Sequence, residues 1–201
     1  YCFASQGKYH GERAVMSFEV GKRALDFLIE QSGSRTNLEV DFFGGEPLMN
    51  WEVVKQLVAY SRTQEERHHK RFRFTLTTNG LLIDDEVIEF ANREMSNVVL
   101  SLDGRKEVHD ALRPTVNGKG SFDIILGNAK KLVAGRGDKE YYIRGTFTRE
   151  NLDFLEDVKA LTGFGFDQIS IEPAVLPDDS PYSLLPEHIE RINAEYDALA
   201  D

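Results

Sequence analysis

Apolar and polar positions follow two different rhythms along this chain. Short runs rich in β-branched and aromatic residues are separated by longer segments in which apolar residues recur at helical spacing. A helical segment follows each short run, and this order is typical of a mainly parallel sheet covered by helices. The pattern predicts an α/β fold with five strands, at Leu38–Phe43, Phe72–Thr77, Val98–Leu102, Tyr141–Thr148 and Gln168–Glu172.

Six helices are predicted from the capping and turn residues that bound the helical segments. They begin at Ser17, Asn50, Asp84, Ser121, Asn151 and Pro186, and they end near Gln31, His68, Arg93, Gly135, Gly163 and Leu199. No strand precedes the first helix, so the chain is expected to begin inside a βα repeat. Large aromatic residues in or beside strands are expected in the core, namely Phe42, Phe43, Phe74 and Phe147.

The composition is that of one soluble globular domain, since 41% of the 201 residues are hydrophobic and 29% are charged. No apolar run is long enough to span a membrane, the N-terminus lacks the layout of a secretion signal, and the single cysteine excludes an internal disulfide. A cytoplasmic protein is therefore expected. The net charge of −10 argues against nucleic-acid binding, and the basic cluster Arg67–Arg73 is predicted to be a solvated helix end.

Glycines and polar residues follow all five predicted strands. In a parallel barrel or open sheet, ligand-binding groups gather at this carboxyl edge. Gly44 and Gly45 allow backbone to approach a ligand closely, and Glu46 suits an ammonium group, although the same residues are compatible with a simple strand-to-helix turn. The other strand ends are Thr77-Thr78-Asn79-Gly80, Ser101-Leu102-Asp103-Gly104, Arg144 to Thr148, and Glu172-Pro173.

These motifs resemble those of radical S-adenosylmethionine (SAM) enzymes over essentially the whole chain. Tyr1-Cys2 resembles the end of the loop that carries three cluster cysteines in that family. Gly44-Gly45-Glu46-Pro47 and Thr77-Thr78-Asn79-Gly80 resemble the motifs after its second and third strands. Ser101-Leu102-Asp103-Gly104, with His109-Asp110 and Arg113, resembles maturases of peptides and sulfatases. The blocks 1–11 and 41–51 are similar to the group that forms thioether crosslinks in cysteine-rich precursor peptides.

The resemblance implies a partial (β/α)6 TIM-like barrel of parallel strands with its first strand missing. It also implies a 4Fe-4S cluster and SAM as cofactors, and a precursor peptide and an electron donor protein as partners. Cys2 is the implied cluster ligand. In the implied SAM site, Gly44, Gly45 and Glu46 receive the ammonium, Ser101 and Arg113 the carboxylate or ribose, and Tyr1 and Val175 the adenine. An electron from the cluster then splits the sulfonium, and the resulting radical takes hydrogen from the peptide.

The chain departs from the family pattern because one cysteine cannot hold a four-iron cluster. We therefore expect residues 1–201 to be a radical SAM core domain truncated at both ends, inactive by itself. Two cluster cysteines and a C-terminal auxiliary-cluster domain are the other expected losses. Without a first strand, Leu38–Phe43 is expected to present an open edge, through which the chain self-associates or which a longer chain covers.

Simpler interpretations of the same residues stay open. Cys2 by itself is compatible with an inert small side chain, Ser101 and Asp103 with turn closure, and Arg113 with a surface position. Arg144 is compatible with an approach to the ligand and equally with an ion pair to Asp or Glu within the barrel. It is therefore left out of the predicted site. Alternative functions are formylglycine formation of the sulfatase-maturase type and a non-catalytic module that binds SAM or peptide. An aldolase-like α/β barrel enzyme would need a Schiff-base lysine or a carboxylate pair at strand ends, and none of the five predicted strands ends in lysine.

Overall fold

The computed structural model describes residues 14–200. Within these residues, three 3-10 turns lie at Pro47–Asn50, Arg149–Asn151 and Pro186–His188. The order of helices and strands is α1 (Phe18–Gln31), β1 (Asn37–Phe42), α2 (Trp51–His68), β2 (Arg71–Thr78), α3 (Asp85–Glu94), β3 (Asn97–Ser101), α4 (Lys106–Leu112), α5 (Phe122–Ala134), β4 (Glu140–Phe147), α6 (Phe154–Gly163), β5 (Ile169–Pro173) and α7 (Ile189–Ala200).

The five strands form one parallel sheet in the order β1-β2-β3-β4-β5, so strands that follow each other in the chain are neighbours in the sheet. Each connection between neighbouring strands contains a helix, as parallel pairing requires. The predicted α/β fold with five parallel strands is confirmed. Each predicted strand end lies within one residue of the observed one, because the β-rich runs and the turn residues that bound them are clear in the sequence.

The two faces of the sheet differ in chemistry. One face packs against the helices, and its buried strand residues are Leu38, Phe42, Phe72, Phe74, Leu76, Val98, Leu100, Tyr141 and Ile143. The opposite face carries mainly hydrophilic side chains, which follow from the alternation along each strand and the register between strands. We call it the polar face, and its hydrophilic residues are Glu39, Asp41, Arg73, Thr75, Thr77, Asn97, Ser101, Glu140, Tyr142, Arg144, Thr146, Ser170 and Glu172.

Phe43 corrects one part of the predicted core. Phe42, Phe74 and Phe147 are buried as expected, but Phe43 is 52% exposed. Successive side chains of an extended segment point to opposite faces, so with Phe42 packed against the helices Phe43 projects away from them.

Two helices depart from the predicted pattern. Helix α4 (Lys106–Leu112) was not predicted, because seven residues are too few to display a helical period. Helix α6 begins at Phe154 rather than at Asn151. The reason is that the Asn151 side chain accepts a hydrogen bond from the Thr148 backbone N–H at 2.8 Å, which closes a separate 3-10 turn before the helix.

One predicted N-cap is also corrected. The Asn50 side chain does not cap α2, and its Nδ2 instead donates to the carbonyl of Met16 at 2.9 Å. Ser121 stands at the start of α5, as predicted. Its side chain makes no cap hydrogen bond, and Asp110 Oδ1 accepts from the Ser121 backbone N–H at 2.8 Å. In both cases a residue distant in the chain bonds at the helix start, where a capping rule considers only local partners.

Strand β1 lies at the edge of the sheet. Within residues 14–200 it pairs with β2 alone. A cavity of about 220 Å³ lies beside it against α1, lined by residues that include Met16, Leu28, Val40 and Phe42. The described part of the chain therefore has the open edge that was predicted for β1.

Candidate functional site

Glu46 joins the ends of β1 and β2. Its Oε1 accepts hydrogen bonds from the Leu48 backbone N–H at 3.0 Å and from Thr78 Oγ1 at 2.7 Å. Its Oε2 accepts from the Asn79 backbone N–H at 2.8 Å. The carboxylate is thus held in one position by donors from two neighbouring strand ends, and Gly44, with φ 149°, supplies the sharp backbone turn before it.

The half-buried Glu46 carboxylate suits a cationic ligand. Burial raises the pKa of this carboxyl, and the hydrogen bonds from Asn79, Leu48 and Thr78 oppose that rise. A carboxylate can accept about four hydrogen bonds, and three of these are accounted for by the donors described above. An ammonium group would supply both a further donor and the positive charge that favours the ionised form.

Asp103 and Arg113 form a second charged group, just beyond the end of β3. Arg113 Nε lies 2.7 Å from Asp103 Oδ2, and Nη2 lies 3.1 Å from Oδ1. Oδ1 also accepts from the Thr146 backbone N–H at 3.0 Å, which ties the pair to β4. The carboxylate of Asp103 is completely buried and forms a bidentate ion pair with Arg113. Asp103 therefore does more than close a turn, and Arg113 is not a simple surface residue.

His109 bonds to the backbone of Asp103 directly and to the backbone of Arg113 through Ser121. Its Nδ1 accepts from the Asp103 backbone N–H at 3.3 Å, and its Nε2 lies 3.0 Å from Ser121 Oγ. Ser121 Oγ donates to the Arg113 carbonyl at 2.6 Å, so the histidine must carry its proton on Nε2 and donate to the hydroxyl. Burial lowers the pKa of His109 to about 4, which keeps the ring neutral at pH 7.

The turn after Asp103 is anchored to α6. Gly104 has φ +123°, and a Cβ at this position would lie 2.3 Å from the Cβ of Asp157. The close approach of this turn to Asp157 allows Arg105 to bind the same carboxylate. The backbone N–H and the Nε of Arg105 both donate to Asp157 Oδ1, at 3.0 and 2.8 Å. The guanidinium also binds Asp153 through two hydrogen bonds of 2.8 Å. Glycine is required here because backbone and side chain approach so closely.

The described members of the predicted SAM site lie at or just beyond the carboxyl edge of the sheet. Ser101 ends β3 on the polar face, opposite Arg144 in the register. Val175 follows β5 and is 92% exposed. Gly44, Gly45 and Glu46 follow β1, and Arg113 reaches the same edge through Asp103. Tyr1 and Cys2, the predicted adenine contact and cluster ligand, lie outside the described residues.

Several residues of this edge were missed as functional residues. Asp103 and His109 belong to motifs that the sequence displays, but their partners Arg113, Thr146 and Ser121 are up to 43 positions away. Arg144, which was left out of the predicted site, forms an ion pair with Glu172 at 3.2 Å, and this is the pairing with an acidic residue that the sequence allowed.

Two features are absent from residues 14–200. This part of the chain holds no group of three or more His, Cys, Asp or Glu side chains in a metal-binding arrangement. It also has no helix that is both long enough and apolar enough to cross a membrane.

Comparison with known proteins identifies the family. Residues 1–161 match the sequence model of the Radical SAM superfamily. The chain belongs to this superfamily. It is 29% identical over 195 residues to an uncharacterized protein of Methanocaldococcus jannaschii, a match that covers 96% of the chain and 63% of that protein.

Two further relatives have names that state an activity. The cysteine-type anaerobic sulfatase-maturating enzyme of Clostridium novyi is 29% identical over 203 residues, which cover 94% of the chain and 52% of that enzyme. The radical SAM cyclopropyl synthase TigE of Paramaledivibacter caminithermalis is 23% identical over 151 residues, or 74% of the chain and 30% of TigE. The chain thus spans between about a third and two thirds of these relatives, and the activity of a whole protein remains a proposal.

Two solved structures share the fold. The structure of anSMEcpe with bound AdoMet and the Cp18Cys peptide superposes with a TM-score of 0.84 at 21% identity, over 95% of this chain and 54% of that one. A domain of a pyruvate-formate lyase-activating enzyme from Bacteroides vulgatus gives a TM-score of 0.55 at 19% identity, over 79% of this chain and 92% of that domain. The five-stranded sheet therefore matches the partial TIM-like barrel of anSMEcpe.

Proposed function

We propose that this chain is the SAM-binding core of a radical SAM enzyme that modifies a peptide, with thioether crosslink formation as the reaction. The observation that carries the proposal is the Glu46 carboxylate, fixed at the sheet edge by Leu48, Thr78 and Asn79. A carboxylate that is partly withdrawn from water and held by three donors is preorganised for an ammonium group. The amino-acid end of SAM carries that group.

The same proposal gives roles to the remaining edge residues. Ser101 presents a hydroxyl at the same sheet edge as Glu46, and the buried Asp103 holds Arg113 at the rim, where these two residues serve the carboxylate or ribose. The exposed Val175 offers an apolar surface for the adenine. The backbone of Gly44 and Gly45 lies beside Glu46, and glycine keeps side-chain atoms out of the way of the ligand.

The donor set fits a cluster only in part. Cys2 is the single thiolate of the chain, so further cluster ligands would come from sequence outside these 201 residues. When bound, the 4Fe-4S cluster and SAM would supply reductive cleavage of the sulfonium and abstraction of hydrogen from the peptide, with electrons from a donor protein. The role of Tyr1 at the adenine is part of the same proposal.

The polar face suits a peptide substrate. It presents carboxylate, hydroxyl and guanidinium groups from all five strands, for example Asp41, Thr77 and Arg144. Hydrogen-bonding groups of this kind can bind the amide groups of an extended chain. Relatives support the assignment, since solved structures of anSMEcpe contain AdoMet together with a peptide.

A second candidate reaction is formylglycine formation on a cysteine or serine. The Clostridium novyi relative is a cysteine-type anaerobic sulfatase-maturating enzyme, and a serine-type enzyme of Bacteroides thetaiotaomicron is 34% identical over 118 residues. A third is a non-catalytic module that binds SAM or peptide. All three use the same Glu46 site and differ in what happens to the peptide.

The test is anaerobic incubation of the full-length protein, with its cluster reconstituted, with SAM, a reductant and cysteine-rich precursor peptides. Loss of two hydrogen atoms with a new crosslink in the peptide mass spectrum is the expected result. Formylglycine would indicate the second reaction, and SAM binding without cleavage the third. Glu46→Gln should abolish turnover, whereas Glu52→Gln, which changes a carboxylate paired with Lys55 on the surface of α2, should not.

A further inference from the structure

The loop 79–81, which follows β2, holds the donors of Glu46 in place through its own hydrogen bonds. The Gly80 N–H donates to Thr78 Oγ1 at 3.1 Å, and the Leu81 N–H donates to Asn79 Oδ1 at 2.9 Å. Thr78 Oγ1 thus accepts from the loop while it donates to the Glu46 carboxylate. The Thr78 hydroxyl and the Asn79 N–H therefore stay aimed at Glu46 only while the loop keeps its position.

Helix α5 supports this loop from outside the site. Asn128 Nδ2 donates to the Gly80 carbonyl at 2.9 Å, although the two residues are 48 positions apart. Ile125, one turn earlier on the same side of α5, lies so close that a Cβ at Gly80 would be 3.0 Å from its Cγ2. Gly80 is buried and has φ +80°. Loss of the Asn128 donor would therefore leave a buried carbonyl without this hydrogen bond, and the loop would be less firmly held.

The first turn of α5 is bound to the other charged group of the site. Ser121, at the start of the helix, donates through its N–H to Asp110 Oδ1 at 2.8 Å and through Oγ to the Arg113 carbonyl at 2.6 Å. Asn128 lies seven residues further along, which is about 10 Å in an α-helix. A single rigid helix thus links the backbone of Arg113 to the loop that orients Glu46.

We propose that Asn128 is a positioning residue for Glu46, acting through the Gly80 carbonyl and the loop 79–81. The proposal rests on the function proposed above, in which Glu46 binds the ammonium of SAM. Asn128 is not a ligand contact itself. A preorganised carboxylate binds well only when its supporting donors are held in place, and these donors in turn depend on hydrogen bonds from residues outside the site.

Asn92 provides a comparison for a purely structural role. Its Nδ2 donates to the Leu132 carbonyl in the last turns of α5 at 3.1 Å, and like Asn128 it is half-buried. Asn92 Oδ1 also lies 3.4 Å from Arg136 Nη1. Asn92→Leu therefore removes the same kind of bond at the opposite end of the helix, and it should cost at least as much stability as Asn128→Leu.

The experiment measures equilibrium binding of three ligands to the full-length protein with its cluster reconstituted. SAM and decarboxylated SAM both carry the ammonium, and methylthioadenosine shares their nucleoside but lacks that group. Asn128→Leu removes the donor at similar side-chain size. It should weaken the binding of SAM and of decarboxylated SAM by a similar factor, about fivefold or more, and leave methylthioadenosine binding within about twofold.

The pH profile of SAM binding supplies a readout that a loss of stability alone would not move. Hydrogen bonds from Asn79, Leu48 and Thr78 oppose the rise that burial causes in the pKa of Glu46, and none of these three donors titrates. A displaced loop weakens two of these bonds, so the pKa of Glu46 rises further. On acidification, Asn128→Leu should therefore lose SAM binding at a higher pH than the wild type does.

Asn92→Leu is the matched control and should leave the three affinities and the pH profile unchanged. A wild-type SAM affinity or a wild-type pH profile in Asn128→Leu would overturn the inference and leave the proposed function intact. An equal loss for methylthioadenosine, or the same loss in Asn92→Leu, would also overturn it, because the effect would then be a general loosening of the fold. If Asn128→Leu does not fold, Asn128→Ala carries the same expectations. Failure of the wild type to bind SAM would overturn both proposals.

Discussion

The Arg113 guanidinium lies against the carboxylate of Asp103, with Nε 2.7 Å from Oδ2 and Nη2 3.1 Å from Oδ1. The two partners differ in their access to water, since the Asp103 side chain is 0% exposed and that of Arg113 is 24% exposed. Other residues bind Asp103 as well. The Thr146 backbone N–H donates to its carboxylate, and its own backbone N–H donates to His109, so the pair holds the loop after β3 in place. Its asymmetry leads to the first prediction.

Removing Arg113 should destabilise the fold more than removing the charge of Asp103. Arg113→Met removes the arginine from an ion pair with a buried carboxylate, which typically costs about 3–5 kcal/mol. Asp103→Asn leaves an arginine that can reach water and keeps the acceptor for the Thr146 N–H, so we expect a cost of about 1–3 kcal/mol. Urea denaturation at pH 7 measures both free energies of unfolding. A larger loss in Asp103→Asn would contradict the assigned burial.

His109 should make the stability depend on pH in mildly acidic solution. An unfolded histidine takes up its proton near its ordinary pKa of about 6.5, whereas the folded one does so only at about 4. The unfolded state therefore binds more protons between these values, and the free energy of unfolding should fall by roughly 3 kcal/mol as the pH drops from 7 to 4.

The variant His109→Gln separates this contribution from other titrating groups. Denaturation of the wild type and of His109→Gln at pH 7 and pH 5 should show a smaller pH dependence in the variant. The same slope in both proteins would rule out the neutral buried state of His109.

SAM binding should weaken in acid at a higher pH than an ordinary glutamate would cause. Burial raises the pKa of the Glu46 carboxyl, and only the ionised form attracts the ammonium. Glu46→Gln should weaken SAM binding at pH 7 and remove this acid dependence. The substitution also sets an amide NH₂ against the Asn79 N–H, which costs about 1 kcal/mol of stability. Calorimetric titration with SAM at several pH values checks both expectations.

Gly104→Ala should be far more damaging than Gly118→Ala. Both glycines have positive φ, +123° and +72°, but only Gly104 is crowded, because an added methyl group would lie 2.3 Å from the Cβ of Asp157. Among the described residues, no heavy atom beyond the chain neighbours would lie within 4 Å of a Cβ added at Gly118, so this substitution should cost only the conformational strain of about 1–2 kcal/mol. Thermal unfolding should therefore show a small shift for Gly118→Ala and a loss beyond about 3 kcal/mol for Gly104→Ala. Similar shifts would contradict the close contact with α6.

The 201-residue chain expressed by itself should self-associate, as predicted for an open sheet edge. Strand β1 pairs on one side within residues 14–200, and apolar side chains such as Val40 and Leu28 line the cavity beside it. Light scattering after size exclusion should give a mass that rises with concentration. A monomer at every concentration would show that the edge is covered.

The strands were predictable because their information is local. A buried or half-buried apolar residue at every second position, as in Leu38, Val40 and Phe42, indicates both the strand and the face that packs against helices. Helix α4 was not predicted, since a single pair of turns shows no period. The predicted cap at Asn50 was wrong because its side chain bonds instead to the carbonyl of Met16, from another part of the chain.

The sequence by itself determined the alternation of strands and helices, the family, and the polar residues at each strand end, because each of these depends on neighbours a few positions apart. Only the tertiary structure decided which of those residues act together. Glu46 forms hydrogen bonds with Thr78 and Asn79, which are 32 and 33 positions away in the chain. Asp103 forms one with Thr146, which is 43 positions away. Such contacts depend on strand register and on burial, which are properties of the packed sheet and are not written in any local stretch of the chain.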